Sequence, residues 1–397
     1  MSELETLTGT VAEEHPRAFR PDVQALRALA VVLVVWYHAN LPGFHGGFLG
    51  VDVFFVISGF VITGVLLEER HQKGSTSLVD FYGRRIRRIL PAATLVLVLT
   101  LFAVYHYLGF VAGDQNATDA KWVAAFVGNI HFASTGTQYL NSRLPPSAYQ
   151  QYWSLAVEEQ FYLVWPVLFL TVTAIRPRTP SRVKLLIALV VIMCLSIYWC
   201  IVQTSRNEIW AFFSPLTRAW ELALGALLAV LVPVLRDRAK RFGTGLGIFG
   251  VVVILISAWI IKPSTPWPGS AALVPVFATG LVIAGGTLRQ SSGFGVVANF
   301  VPVQWMGNIS YSLYLVHWPI LIIAAQYSLD GALPLRSELE LVALSVVVSA
   351  AIYYAVENPI RRSRLLKRNR VLTYALGAGL IGISYVAIYW HLHNVST

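Results

Sequence analysis

The sequence predicts an all-α, polytopic membrane protein, and three observations carry that prediction. Of the 397 residues, 56% are hydrophobic and only 13% charged, against about half and a quarter in ordinary soluble domains. Eleven apolar runs are each long enough for a helix to cross roughly 30 Å of hydrocarbon, which takes about 20 residues. The basic residues fall mostly in alternate loops between those runs, as expected when positive charge stays on the cytoplasmic side.

Taken in order, residues 1–20 are polar and acidic, without the basic start and apolar core of a cleavable secretion signal. They are expected to form a loose cytoplasmic tail. The spans follow at 22–41, 51–68, 89–109, 153–175, 184–203, 215–235, 245–261, 271–288, 308–327, 338–356 and 371–391. With the N-terminus inside, the cytoplasmic loops hold YGRRIRRIL, RPRTPSRVK, RDRAKR, Arg289 and ENPIRRSRLLKRNR, while the outer loops hold only scattered cations. The C-terminus is then extracytoplasmic. Between 110 and 152, KWVAAFVGNIHFA is long enough to raise a twelfth span, but that would put RPRTPSRVK outside. It is assigned to an outer-face amphipathic or re-entrant segment. The basic loop and eleventh span, 363–397, are expected as an appendage to a membrane domain at 21–362, with no soluble domain after them. Net charge is +10, and its placement in loops points to a lipid bilayer rather than nucleic acid as partner. Cys194 and Cys200, the two cysteines, lie in one apolar run and are expected to be buried packing residues.

Ionisable groups within spans cost roughly 2.5–3.5 kcal/mol each and usually face the bundle interior. Arg27 and His38 are separated by eleven positions, three helical turns plus 20°, so they share a face about 16 Å apart. Arg27 suits either a site or snorkelling to the interface; histidine is the commonest general base. Glu158 and Glu159 open the fourth span as neighbours about 100° apart, which lets one face the bundle and the other water. A favourable helix-dipole interaction explains one acid there but not two. Arg218 and Glu221 are at i,i+3 and close enough to pair, for structure or for a site. Ser310, Tyr314 and His317 form a polar stripe on an apolar helix. Arg84, Arg85, Arg87 and Arg88 stand before the third span without a lysine, a choice that fits bidentate phosphate binding as well as topology.

One motif is a decoy. GLGIFG at Gly245–Gly250 matches a dinucleotide fingerprint but opens a membrane helix after a basic loop, where that fold needs a strand. No metal-ligand spacing is present, and no metal is expected.

These segments together resemble the acyltransferase-3 family of integral membrane O-acyltransferases. The resemblance runs from Phe19 to Arg362 through FRPDVQALRALAVVLVVWYHA, GGFLGVDVFFVISGFVIT, FYGRRIRRILPA, WSLAVEEQFYLVWP, RAWELALG, GNISYSLYLVHWPI and VENPIRR, in that order. It implies a ten-helix core, here with an eleventh helix, that takes a short acyl group from cytoplasmic acyl-CoA. Acetyl-CoA or succinyl-CoA would be the donor, and a hydroxyl of an extracytoplasmic cell-envelope polysaccharide or glycolipid the acceptor. Arg27, His38, Arg84, Arg85, Arg88 and the Glu158/Glu159 pair are the functional positions it implies. Longer relatives carry an esterase-like domain after the eleventh helix, which leaves open whether a separate extracytoplasmic partner serves here.

The expected mechanism makes His38 the general base, oriented by Glu159 or Glu158, with Arg27, Arg84, Arg85 and Arg88 on the donor. Asp52, Arg218, Glu221, Ser310, Tyr314 and His317 are assigned to the acceptor side. The expected location is the plasma (inner) membrane. The competing class is a transporter or flippase of a small or lipid-linked substrate without covalent chemistry, since charges at mid-membrane also mark transport pathways.

Overall fold

The computed structural model describes residues 20–136, 145–174, 181–238, 243–288, 298–328 and 333–394, and among them no strand occurs. The expected N-terminal tail lies outside the described residues. The helices are α1 (Pro21–His38), α2 (Gly50–Lys73), α3 (Leu78–Ala124), α4 (Gly128–Ser134), α5 (Tyr152–Ala174), α6 (Ser181–Arg206), α7 (Glu208–Phe213) and α8 (Pro215–Arg238). After them come α9 (Gly243–Ile260), α10 (Leu273–Leu288), α11 (Val301–Tyr327), α12 (Leu335–Ile352), α13 (Asn358–Arg362), α14 (Arg364–Arg368) and α15 (Arg370–Asn394). Nine segments among the described residues are long and apolar enough to cross a membrane, and Leu273–Thr287 is apolar but shorter. The chain is a multi-pass membrane protein. The helix expected as the first span, α1, reaches about 27 Å over its 18 residues and carries Asp22, Arg27 and His38; it is not among those nine. The glycine-rich decoy lies within the first two turns of α9.

Local chemistry sets the helix ends. Pro21 and Asp22 occupy the first turn of α1, where a missing N–H costs nothing and a carboxylate meets the positive end of the dipole. Arg70, His71 and Lys73 sit in the last turn of α2, which Gly74 ends at φ 70°. Ser77 caps α3 by accepting a hydrogen bond from the Asp80 backbone N–H at 3.2 Å. These ends gather basic groups on one end of the bundle, called the basic end below.

The principal pairings join α2 to α8, α9 to α10, α3 to α15, α6 to α8 and α1 to α11. Between α2 and α8 the backbones nearly touch. A Cβ added at Gly59 would lie 1.9 Å from the Leu222 carbonyl oxygen, and one at Gly225 1.9 Å from that of Val56. Only glycine fits either place, so these two residues set the distance at which polar side chains on the two helices meet.

Three expectations are refined or corrected. First, the third span breaks at Gly109, where it was expected to end, but a second helical arm follows it directly. Gly109 adopts φ 79° and ψ −175° within α3, and the chain reverses there, so that Tyr105 donates a hydrogen bond to Asp114 Oδ1 at 2.6 Å. On a straight helix nine residues would separate them by about 13 Å. The second arm runs back until Val123 and Ala124 share a small cavity with Leu90, Ala93 and Leu97. This folded-back arm is the shape a re-entrant segment takes. Secondly, α15 is no appendage: it packs along α3, with Ile86 against Gly377 and Tyr105 against His391 at 4.9 Å between ring centroids. Thirdly, Cys200 is buried but Cys194 is exposed, on the outer face of a helix where lipid accommodates it.

Candidate functional site

The residues that composition marks as misfits sort into four places. The first is a cavity of about 260 Å³ between α1, α2, α3, α5 and α11. Arg20, just before α1 and held by Asp22 at 2.6 Å, enters it with Gln24 and Arg27 of α1, one turn apart along a single face, and with Arg85 and Arg88 of α3. Arg27 is therefore turned into the bundle instead of snorkelling out; its Nη1 lies 3.5 Å from Gln24 Oε1. Glu158 enters the cavity from α5, where its carboxylate accepts hydrogen bonds from the hydroxyls of Ser58 and Tyr162. Arg85 lies over the Tyr162 ring at 5.5 Å. Ser310 and Tyr314 close the far end, and the Ser310 hydroxyl donates to the Gly307 carbonyl at 2.9 Å.

Next to that far end lies the second place. His38 Nδ1 and His317 Nε2 are 2.9 Å apart, and the two rings stack within 15°. Tyr314 links the pair to the cavity: its ring centroid is 5.7 Å from that of His317, and its hydroxyl bonds Ser154 at 2.6 Å and the Gln151 carbonyl at 2.9 Å. Trp318 stands edge-on to His38 at 4.7 Å. Tautomers follow from the network, since His317 Nδ1 lies 2.8 Å from the Leu313 carbonyl oxygen. A carbonyl only accepts, so His317 Nδ1 carries the proton and Nε2 is its lone pair. His38 must then donate from Nδ1, which leaves Nε2 as its basic nitrogen. A pair arranged this way can orient a general base.

That pair corrects one expectation. The group against His38 Nδ1 is His317, a residue expected to hold the acceptor, and neither Glu158 nor Glu159. The reason is depth. A buried turn, in which Tyr149 bonds the Leu97 carbonyl at 2.8 Å, carries the chain inward before α5 begins at Tyr152. Six residues later Glu158 is level with Ser58 and Tyr162. Glu159 points away from water too: its Oε1 is shielded and has no hydrogen-bond partner among the described residues.

The third place corrects another expectation. Asp52, Arg218 and Glu221, assigned to the acceptor, instead hold one another. Arg218 Nη1 bonds Asp52 at 2.7 Å and Glu221 at 3.0 Å. Its Nε donates to the Phe212 carbonyl at 3.2 Å, and Trp153 and Phe212 cover the guanidinium at 5.5 and 5.3 Å. All three are at most 1% exposed, and none lines the cavity.

The fourth is a wide mouth at the basic end, about 1190 Å³, lined by α3 on one side and by residues 361–374 on the other. Arg85 and Arg88 line both this mouth and the inner cavity, so the two spaces adjoin at that pair. Arg84, in the mouth only, is held by Glu69 at 2.7 Å. Several residues of the site were not anticipated. Ser58 and Tyr162 are signalled in retrospect by a hydroxyl in the apolar run FFVISGF and by the i+4 spacing from Glu158. Glu357 is also new: it is 1% exposed within a π-turn, Tyr353–Glu357, accepts from Ser312 at 2.7 Å and lies 3.8 Å from Arg361. The far wall of the mouth carried only a topological meaning in the sequence.

A model of the acyltransferase-3 family, described as an acyltransferase domain, matches residues 20–357. The peptidoglycan O-acetyltransferase OatA of Listeria monocytogenes is 30% identical over 363 residues, 88% of this chain and 57% of that protein. The O-acetyltransferase OatA of Staphylococcus aureus is 30% identical over 353 residues, 87% of this chain and 57% of its own. The putative peptidoglycan O-acetyltransferase YrhL of Bacillus subtilis is 28% identical over 359 residues, 88% of this chain and 56% of its own. The chain thus spans a little over half the length of these relatives. No solved structure matches. With the family domain covering nearly all the described helices, and with its arginines, histidines and buried acids arranged as above, the chain belongs to the acyltransferase-3 family of membrane proteins.

Proposed function

We propose that this protein is a membrane O-acyltransferase that takes a short acyl group, acetyl first, from acyl-CoA and delivers it to a hydroxyl of a cell-envelope polysaccharide of the peptidoglycan type. The donor binds at the basic end, which faces the cytoplasm; the acceptor approaches His38 from the opposite, extracytoplasmic side. The protein resides in the plasma (inner) membrane with its N-terminus inside. One observation carries the reading most: a cationic mouth shares Arg85 and Arg88 with an inner cavity whose far end, at Tyr314, touches the His38–His317 pair.

Each part has a chemical task. The mouth holds the donor's phosphates by charge-assisted, bidentate bonds. The slender thiol-bearing arm passes Arg85, Arg88 and Arg27 and brings the thioester carbonyl toward Tyr314. His38 Nε2 takes the proton of the acceptor hydroxyl as its oxygen attacks that carbonyl. His317, fixed by the Leu313 carbonyl, holds His38 in the productive tautomer. Collapse of the tetrahedral intermediate forms the ester, breaks the C–S bond and returns the proton from His38 to the departing thiolate. General-base assistance of this kind contributes typically 10²- to 10⁴-fold in rate.

The test uses the full chain in nanodiscs with labelled acetyl-CoA and a soluble peptidoglycan fragment. Release of free CoA thiol matched by label in the glycan is the expected result. Uptake or movement of an unmodified substrate with no thiol release would overturn the reading in favour of transport.

A further inference from the structure

The mouth is built from two chain segments of different standing. Ten of its lining residues are lysine or arginine. Five of them, Lys73, Arg84, Arg85, Arg87 and Arg88, come from the start of the chain, and five, Arg361, Arg362, Lys367, Arg368 and Arg370, follow residue 357, where the family domain ends. Asp80 is the one acid in that lining.

Their ion pairs divide them further. Lys73 and Arg84 share Glu69, Arg361 lies near Glu357, and Arg370 grips Asp80 with two bonds of 2.8 and 2.9 Å. The other six, Arg85, Arg87 and Arg88 on one wall and Arg362, Lys367 and Arg368 on the other, have no carboxylate partner among the described residues. Arg87 ties the walls together, donating to Thr373 Oγ1 at 3.2 Å and to the Leu366 carbonyl at 3.4 Å. The bidentate Arg370–Asp80 pair and a bond from Tyr374 to the Val79 carbonyl at 3.0 Å fix the same junction. Two rows of uncompensated cations thus face one space, and the packing of α15 along α3 holds them there.

We propose that residues 361–368, past the end of the family match at 357, form a second phosphate-binding wall, and that the donor's nucleotide phosphates are clamped between it and the α3 arginines. This rests on the acyl-CoA reading of the mouth. Phosphate esters fit because six unpaired cations, five of them arginines, demand an occupant of several negative charges. Such groups come either from a soluble nucleotide thioester or from a lipid headgroup. The thioester is favoured by continuity: its head would fill the mouth while its arm enters the inner cavity between Arg85 and Arg88, whereas a lipid's tails stay in the bilayer.

The experiment compares the full-length protein with Arg362→Ala/Lys367→Ala/Arg368→Ala and with Arg85→Ala/Arg88→Ala. Arg362, Lys367 and Arg368 are exposed, so the triple variant keeps its fold. CoA and phosphate-free pantetheine are titrated in nanodiscs of phosphatidylcholine and of phosphatidylglycerol, at two salt concentrations. The clamp predicts CoA binding weakened about tenfold or more in the triple variant, in both lipids, with a shallower salt dependence and unchanged pantetheine binding. Unchanged CoA affinity in the triple variant beside a loss in the Arg85/Arg88 variant would overturn the clamp and leave the donor reading standing. Wild-type protein that binds CoA no better than pantetheine would overturn both. A difference between wild type and triple variant that appears only in phosphatidylglycerol would assign these residues to lipid headgroups and overturn the clamp.

Discussion

Two clusters of buried charge lie within the same bundle, and they differ in whether their cations have acids to pair with. In the Asp52–Arg218–Glu221 cluster one guanidinium meets two carboxylates and a carbonyl, with Trp153 and Phe212 sealing it. Around the inner cavity Asp22 holds Arg20 with two hydrogen bonds, but Arg27, Arg85 and Arg88 have no carboxylate partner among the described residues, and Glu158 is the one acid in the lining. A closed network spends its charges on one another and positions α2 against α8. An open one with surplus cations keeps them for something that arrives. Formal charge in the membrane marks both, so satisfaction and the presence of space separate a structural cluster from a binding one.

The largest expected break falls on the closed cluster. Arg218→Ala leaves two buried acids without a counterion and is expected to destabilise the protein by about 3–5 kcal/mol, read as a lower unfolding temperature in detergent. A full-stability Arg218→Ala protein with lost transfer activity would reverse its assignment. The comparison sharpens with Asp52→Leu/Arg218→Met/Glu221→Leu, which should recover most of that stability and retain transfer.

In the open cluster the same logic predicts the opposite split. Arg85→Ala/Arg88→Ala removes no satisfied pair, so unfolding should change little, while CoA affinity should fall about 100-fold if each arginine contributes roughly 1.5 kcal/mol or more to a charged ligand. Gly59→Ala probes what brings α2 and α8 together. Its Cβ would overlap the Leu222 carbonyl, at an expected cost of about 1–3 kcal/mol, with CoA affinity unaffected in the protein that remains folded. The smallest effect belongs to Ser58→Ala. Removing one of the two hydroxyls on Glu158 should cost about 0.5–1.5 kcal/mol, visible as a modest shift in donor affinity and as almost nothing in unfolding temperature.

Much of this was legible before the structure. Apolar runs and basic loops gave the spans, because lipid demands that both be written into composition. The register of Arg27 and His38 put both on one face of one helix; that Arg27 lines the cavity and His38 pairs with His317 beside it came only with the structure. What was not legible depended on the third dimension. Gly109 is one glycine among many, and nothing local says that it reverses a helix. Glu158 and Glu159 looked like the outer start of a span because the turn before α5 gives no sign of being buried. His317 was visible as a misfit, but its pairing with His38 joins residues 279 positions apart. The basic run after Glu357 read as topology, since only the packing of α15 on α3 turns it toward the mouth.

The claim on which all of this depends is that donor binding and acyl transfer occupy separate places, joined by the inner cavity. Substituting His38→Ala in the full-length protein and measuring CoA affinity and acetyl transfer in one preparation tests it most directly. CoA affinity within about twofold of wild type, with transfer reduced at least about 100-fold, is the predicted result. Transfer retained at the wild-type rate, or CoA binding lost together with it, would contradict the account.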